Sequence, residues 1–357
     1  MGADPKLNIG YNSLVMKWLS FFQLTPLIGI DLGTSRTRIW CSGKGLMIDE
    51  PTMVATDPWS KKVLAVGKEA AEMEGRVQQQ IQIHHPVKAG KIYDASVVKA
   101  MLQVYLQRIL GWKYLFSPVF MVSVPVGSTQ ANRAAVVQLL YQLGAKEVYT
   151  VAQSLAAAIG AGVPIADASG TLIFHLGAGV VEVGVISLGS LVQFQNSTAA
   201  GDYLDHKMSK FIVDHYHLKI GAPTTAKLKH QLLLTEPSQQ SALVVGQDVN
   251  SHSPKEIKIS AEKLAVVVAT VMDQYRQLCQ SLLADTYPEL TTDILDKGML
   301  LSGGLAQLVG LNRWLTDQLG IPVATVENPD LVVIEGIATA LEHLDEFKQS
   351  LGYQENV

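Results

Sequence analysis

Residues 28–40 read IGIDLGTSRTRIW, and residues 173–186 read IFHLGAGVVEVGVI. Each runs from an apolar strand pattern into a short glycine-containing turn and back into a strand pattern, so each reads as a β-hairpin. Glycine permits positive φ and close backbone approach, so amide N–H groups in such a turn can face an anion. Taken singly, such a turn is more often an ordinary hairpin. A third glycine turn follows in GMLLSGGLAQLVGL, residues 298–311, where a strand runs through Gly303 and Gly304 towards a helix. Three turns in this order can converge on one ligand, two on its phosphates and one on its base or sugar. Gly33, Thr34, Ser35, Gly177, Ala178, Gly179, Gly303 and Gly304 then become candidate nucleotide-binding residues. Asp31, ending the first strand, is the candidate to hold Mg²⁺ through water, since that ion keeps several waters and binds through one or two carboxylates. The chain has no GxxxxGK[ST], and no GxGxxG opening a helix, so the P-loop and dinucleotide-fold readings fail.

Bulk properties are compatible with this. A chain of 357 residues suffices for two domains of ordinary size. With 48% hydrophobic and 17% charged residues it can build a large core and does not read as disordered. A net charge of -4 gives no reason to expect a nucleic-acid partner. Cys41 and Cys279 stand far apart without metal-site spacing, which argues against a disulfide framework and fits a reducing cytoplasm. No run reaches the ~20 apolar residues of a membrane span. Residues 13–24, SLVMKWLSFFQL, place Leu14, Val15, Trp18, Leu19 and Phe22 on one helical face. That face suits either a helix capping the core or an anchor lying in a membrane surface.

Between the glycine turns the periodicity predicts a helix over 94–110, with Val97, Met101, Val104, Tyr105 and Ile109 inward. A second helix over 129–145 stops at Gly144. A strand at 147–153 and a small-residue helix at 155–162 follow.

The residues now permit a family resemblance. IGIDLGTSRTRIW is similar to the first phosphate motif of the actin and seventy-kilodalton chaperone superfamily, and the chain resembles the bacterial MreB proteins, the cell-shape actin homologues. The likeness covers residues 27–344 and includes GKGLMIDEPTMVA (43–55), GAKEVYTVAQSLAAAIGAGVP (144–164), AAGDYLDHKM (199–208) and GIPVATVENP (320–329). It implies an α/β, actin-like fold: two similar domains, each a mixed sheet with flanking helices, around a nucleotide cleft for ATP with Mg²⁺. The corresponding division is an amphipathic membrane-binding segment at 1–26, domain I at 27–154, domain II at 155–344 and a tail at 345–357. The resemblance also implies filaments, with this chain or related actin-like subunits as partners, and cell-shape or division membrane proteins beyond them. The implied location is cytoplasmic, peripheral at the inner face of the cell membrane. MreB proteins bind membrane through an N-terminal amphipathic helix, a hydrophobic loop, or both. Here Trp18 and Phe22 match the first, and Trp112, Leu115 and Phe116, in GWKYLFSP (111–118), match the second.

The departures concentrate in the nucleotide motifs. Where MreB reads Asp-Ile-Gly-Gly-Gly-Thr-Thr-Glu, this chain reads HLGAGVVE. His175 replaces the metal-orienting acid, Ala178 the middle glycine, and Val180 and Val181 the hydroxyl donors, which weakens the expectation of both Mg²⁺ and hydrolysis. Gln153 falls at or beside the family's water-positioning glutamate; it reads as a catalytic candidate, or as a polar residue satisfying backbone at a strand–helix junction. Residues 221–226, GAPTTA, lack both acids of the family's sugar-contacting segment, and Leu305 replaces the last glycine of the third turn. Arg38 reads as a phosphate contact or as a solvated strand residue. Asp202 reads as a ligand contact or as a helix N-cap. Enzymatic activity stays open between a slow ATPase and none. The alternatives are a nucleotide-independent pseudo-actin scaffold or co-polymer, or an adaptor of the FtsA or pilus-assembly type.

Overall fold

The computed structural model describes residues 25–76, 81–111, 117–231 and 241–350. Trp18, Phe22, Trp112, Leu115 and Phe116 lie outside the described residues. The first hairpin forms β1 (Leu27–Leu32) and β2 (Arg36–Cys41), and β3 (Gly45–Pro51) continues the meander. β4 (Val54–Thr56), β5 (Val63–Val66) and β6 (Gln82–His84) make a small sheet, and β7 (Val87–Lys88) pairs with β8 (Lys91–Ile92). β9 (Val119–Val124) and β10 (Glu147–Ala152) then add parallel to β1, giving the order β10-β9-β1-β2-β3.

The second half repeats this plan. β11 (Thr171–Leu176), β12 (Val181–Ser187) and β13 (Ser190–Ser197) form an antiparallel meander. β14 (Leu218–Lys219), β15 (Ser241–Asp248) and β16 (Pro254–Ser260) form a separate small sheet. β17 (Met299–Ser302) and β18 (Val323–Thr325) add parallel to β11, giving β13-β12-β11-β17-β18. Both large sheets are therefore an antiparallel meander extended by two parallel strands, and β1 and β11 hold the same central place.

The sheets share a core. Val119, Met121, Tyr149 and Val151 of the first and Ile173 and Ile186 of the second pack with helices Gln153–Gly160 and Val332–Glu342. Those helices meet backbone to backbone at two glycines. A Cβ on Gly336 would lie 1.8 Å from the Ala156 carbonyl oxygen, and one on Gly160 would lie 2.0 Å from that of Val332. The far face of the first sheet packs on helix Ala95–Leu110 and Leu139 and Leu140 of helix Gln130–Gln142. The far face of the second packs on helices Gly201–Tyr216 and Ala261–Asp285.

Local details refine the sequence reading. Helix Ala95–Leu110 buries Val98, Met101, Leu102, Tyr105, Leu106 and Ile109, while Val97 and Val104 are only partly buried. The inward face is thus turned by one residue from the predicted one, because Leu102 and Leu106 compete for the sheet. Gly144, at φ 86°, follows helix Gln130–Gln142. Gln153 opens a helix rather than closing the strand at 147–153. The third glycine turn leads into a short 3-10 turn, Gly304–Gln307, with the helix proper at Leu311–Leu319.

Candidate functional site

The two hairpin turns have the same internal bond. The Gly33 amide donates to the Arg36 carbonyl at 3.0 Å, and the Gly177 amide donates to the Val180 carbonyl at 3.0 Å. The strand ends correspond as well. Asp31 pairs in register with Arg38, and His175 with Glu182. On the parallel side, the Ser123 hydroxyl donates to Asp31 at 2.8 Å, while Ser302 Oγ lies 3.1 Å from His175 Nδ1. Each half therefore presents one titratable side chain from its central strand, bonded to a serine on the next strand.

The turns face each other across a cavity of about 330 Å³. It is lined by Gly33, Thr34, Ser35 and Arg38 from the first half, and by Gly177, Ala178, Gly179 and Val180 from the second. Gly303 and Gly304, Asp31, Gln153, His175 and Asp202 complete the set expected from the sequence. Contact between the turns is close: a Cβ on Gly179 would lie 2.1 Å from Thr34 Oγ1. Thr34 Oγ1 also accepts the Gly90 amide at 3.0 Å, which ties the β7–β8 hairpin to the rim. Helix Gly201–Tyr216 begins against the second turn, its Asp202 amide donating to the Ala178 carbonyl at 2.8 Å. The approach is tight, since a Cβ on Gly201 would lie 3.1 Å from Ala178 Cα.

Several side chains differ from the alternatives left open by the sequence. Arg38 is not a solvated strand residue: it is 7% exposed and faces three carboxylates. Its Nη1 lies 3.7 Å from Asp31, its Nη2 3.3 Å from Asp330, and its Nε 3.1 Å from Asp49, the last without hydrogen-bond alignment. Asp202 is not the N-cap of its helix; Ala200 holds that place, and Asp202 sits in the first turn at the cavity wall. Val181 does not line the cavity. It opens β12 and packs in the core. Its lost hydroxyl therefore does not bear on the cavity, whereas that of Val180 does.

Other residues at the site were missed. Glu182 is fully buried and accepts the Val126 amide and the Ser154 amide, each at 2.7 Å, one on either oxygen. It thus fastens the second hairpin to the first sheet and to the helix that follows. Its signal was the final Glu of HLGAGVVE, in register with His175. Lys229, buried, pairs with Asp205 at 2.9 Å and lines the cavity with Ala226, one turn earlier on helix Ala222–Gln231. Asp205 follows Asp202 by a helical turn, so both face the cavity. Asp330 and Gln307 close the far wall, joined at 3.1 Å.

The electrostatics follow from burial. His175 is held down to about 4, by burial first and then by the Arg38 charge, so it is neutral near pH 7. Glu182 is pushed up to about 7 by burial, against the pull of its two amide donors. Burial also raises Asp31, opposed by Arg38, Ser123 and Gln153. Asp202 is raised by partial burial and by neighbouring Asp205.

These residues do not fit a hydrated Mg²⁺. Asp31 faces a guanidinium, His175 offers nitrogen beside that same charge, and both Glu182 oxygens are taken by amides. Among the described residues no group of three His, Cys, Asp or Glu side chains is placed to hold a metal.

Comparison with known proteins fixes the family. The model of the MreB/Mbl protein family matches residues 25–349. The chain belongs to the MreB/Mbl family. This MreB/Mbl chain is 35% identical over 321 residues to the cell shape-determining protein Mbl of Bacillus subtilis strain 168, covering 89% of this chain and 96% of that protein. It is 33% identical over 325 residues to the cell shape-determining protein MreB of Escherichia coli K12, covering 89% and 94%. MreB5 of Spiroplasma citri, solved bound to AMPPNP, superposes with a TM-score of 0.86 at 27% identity, covering 92% of this chain and 99% of that one. A MamK double helical filament superposes at 0.76 with 19% identity, over 89% and 99%, which bears on the fold alone. The actin-like α/β fold and the cell-shape cytoskeletal family of this MreB/Mbl chain are thereby established.

Proposed function

We propose that this chain is an actin-like filament subunit of the cell-shape cytoskeleton that binds ATP between residues 27–154 and 155–344, with weakened or lost hydrolysis. The observation that carries the nucleotide reading is the pair of matched glycine turns, Gly33–Arg36 and Gly177–Val180, facing one cavity with Gly303 and Gly304 on its third side. The related MreB5 was solved with AMPPNP and with ADP, which supports a nucleotide as the ligand. Backbone amides of the turns, the Thr34 and Ser35 hydroxyls and Arg38 would meet phosphates; Asp202 would position the ligand. Hydrolysis is weakened because His175 and Val180 bring neither a carboxylate nor a hydroxyl to the cavity. Gln153, the candidate for water positioning, is buried at the start of its helix and lines the cavity with Asp31.

Self-association into filaments follows from the family, and the MamK filament supports it at the level of fold. The filament would lie on the inner face of the cell membrane. Trp18 and Phe22, with Trp112, Leu115 and Phe116, are the proposed anchors, and polymerisation would multiply their individually weak binding through effective concentration. No described helix is long and apolar enough to cross a membrane. Flotation with liposomes tests this part: changing Trp18, Phe22, Leu115 and Phe116 to Ser should abolish it, and persistent flotation would remove those anchors from the account.

Calorimetry with ATP tests the nucleotide reading. One site per chain is expected, and Gly179→Val, which puts a side chain against Thr34, should weaken binding at least about tenfold, ~1.4 kcal/mol. No heat and no thermal shift at millimolar ATP would overturn it.

A further inference from the structure

The cation that closes this cleft is part of the chain. Arg38 leaves the first turn on β2 and is almost wholly buried. Its guanidinium gathers Asp31 and Asp49 from the first half and Asp330 from the second, at 3.7, 3.1 and 3.3 Å. Carboxylates drawn from both halves thus surround one fixed positive centre, with Asp49 shared with Arg36 at 2.7 Å. Here the charge comes with a covalent tether, and a guanidinium does not deprotonate or dissociate. Opposite Asp31, the second strand end carries His175 and adds no carboxylate. Placing Mg²⁺ at the strand ends would set a dication beside the buried guanidinium, which costs Coulomb energy in a poorly solvated site.

We propose that Arg38 replaces the divalent cation of this cleft, joining its two halves directly, so that nucleotide affinity and cleft closure do not depend on Mg²⁺. This rests on the nucleotide reading above. It makes a free nucleoside polyphosphate, rather than its metal complex, a sufficient ligand. Arg38 is a specificity-determining residue in this account, since it decides which form of the nucleotide the cavity accepts.

The experiment is calorimetry of the full chain with ATP, once with Mg²⁺ and once with EDTA, on the natural protein and on Arg38→Met. Thermal melting with and without Mg²⁺ alone is the second readout. In the natural protein the Kd should differ less than about threefold between the two conditions, a difference under ~0.7 kcal/mol, and Mg²⁺ alone should leave the melting temperature unchanged. Arg38→Met leaves Asp31 and Asp330 without their shared cation, while Asp49 keeps Arg36. Its melting temperature should rise with Mg²⁺, and its Kd should become at least about tenfold tighter with Mg²⁺ than with EDTA. If Arg38→Met does not fold, the natural protein still decides the question. Binding by the natural protein that is lost on adding EDTA would overturn the role of Arg38 while leaving the nucleotide reading intact. Binding in neither condition would overturn both.

Discussion

At the scale of single residues, the second hairpin carries two buried titratable groups with opposite pH behaviour. His175 is neutral in the fold and titrates near 4 instead of 6.5, so its contribution to stability is lost as pH falls from about 6.5 towards 4. Glu182 titrates near 7 instead of 4.5, so its contribution is fully present at low pH and lost as pH rises from about 4.5 to 7. Each shift corresponds to a few kcal/mol, on the order of 3, and over their shared range the two oppose one another. Urea denaturation from pH 4.5 to 7 should therefore show slopes in the variants that the natural chain largely conceals. Glu182→Gln should gain stability with rising pH, and His175→Asn should lose it. At pH 4.5 Glu182→Gln should also be less stable than the natural protein by about 1–3 kcal/mol, because its amide N–H₂ meets an amide donor, and the deficit should shrink as pH rises. Two variants that follow the natural protein at every pH would show that neither group is buried as described.

At the scale of elements, the decisive contact is the crossing of helices Gln153–Gly160 and Val332–Glu342. Gly160 and Gly336 let their backbones touch. Gly336→Val would force the helices apart over a core both sheets share, a misfit that should cost about 3 kcal/mol or more. A chemical-denaturation midpoint unchanged by Gly336→Val would contradict this packing. The sequence marked one side of this contact, since the small residues of 155–162 suit close packing, but nothing local marked Gly336 as its partner. The hairpins were legible for the opposite reason. An alternating strand, a Gly turn and a second strand make their pattern within 13 consecutive residues in 28–40. The inward face of helix Ala95–Leu110 was less legible, since Val97 and Leu102 both suit a helical stripe and only the sheet beneath selects between them. The cavity residues came from the turns, which are local. Glu182, Lys229 and Asp330 escaped because their partners lie 24 to 292 positions away in the chain. The burial of Arg38 escaped in part for the same reason, since its partner Asp330 lies 292 positions away.

At the scale of the whole molecule, two sheets of one topology place two matched turns face to face. The central strands β1 and β11 carry Asp31 and His175 one residue before their ends, each bonded to a serine on its parallel neighbour. This correspondence shows what diverged: one half keeps an acid and pairs it with an arginine, and the other has a neutral imidazole beside a buried glutamate. The fold depends on the glycines and the strand pattern, which both halves retain. The two halves thus share their architecture while their strand ends carry different chemistry. The most direct measurement is a structure of the full chain crystallised with AMPPNP and Mg²⁺. The account expects the phosphates between Gly33–Arg36 and Gly177–Val180, with the Arg38 guanidinium still joining Asp31 and Asp330 and no metal at the strand ends. A nucleotide bound elsewhere, or a hydrated Mg²⁺ on Asp31 with Arg38 displaced, would contradict it.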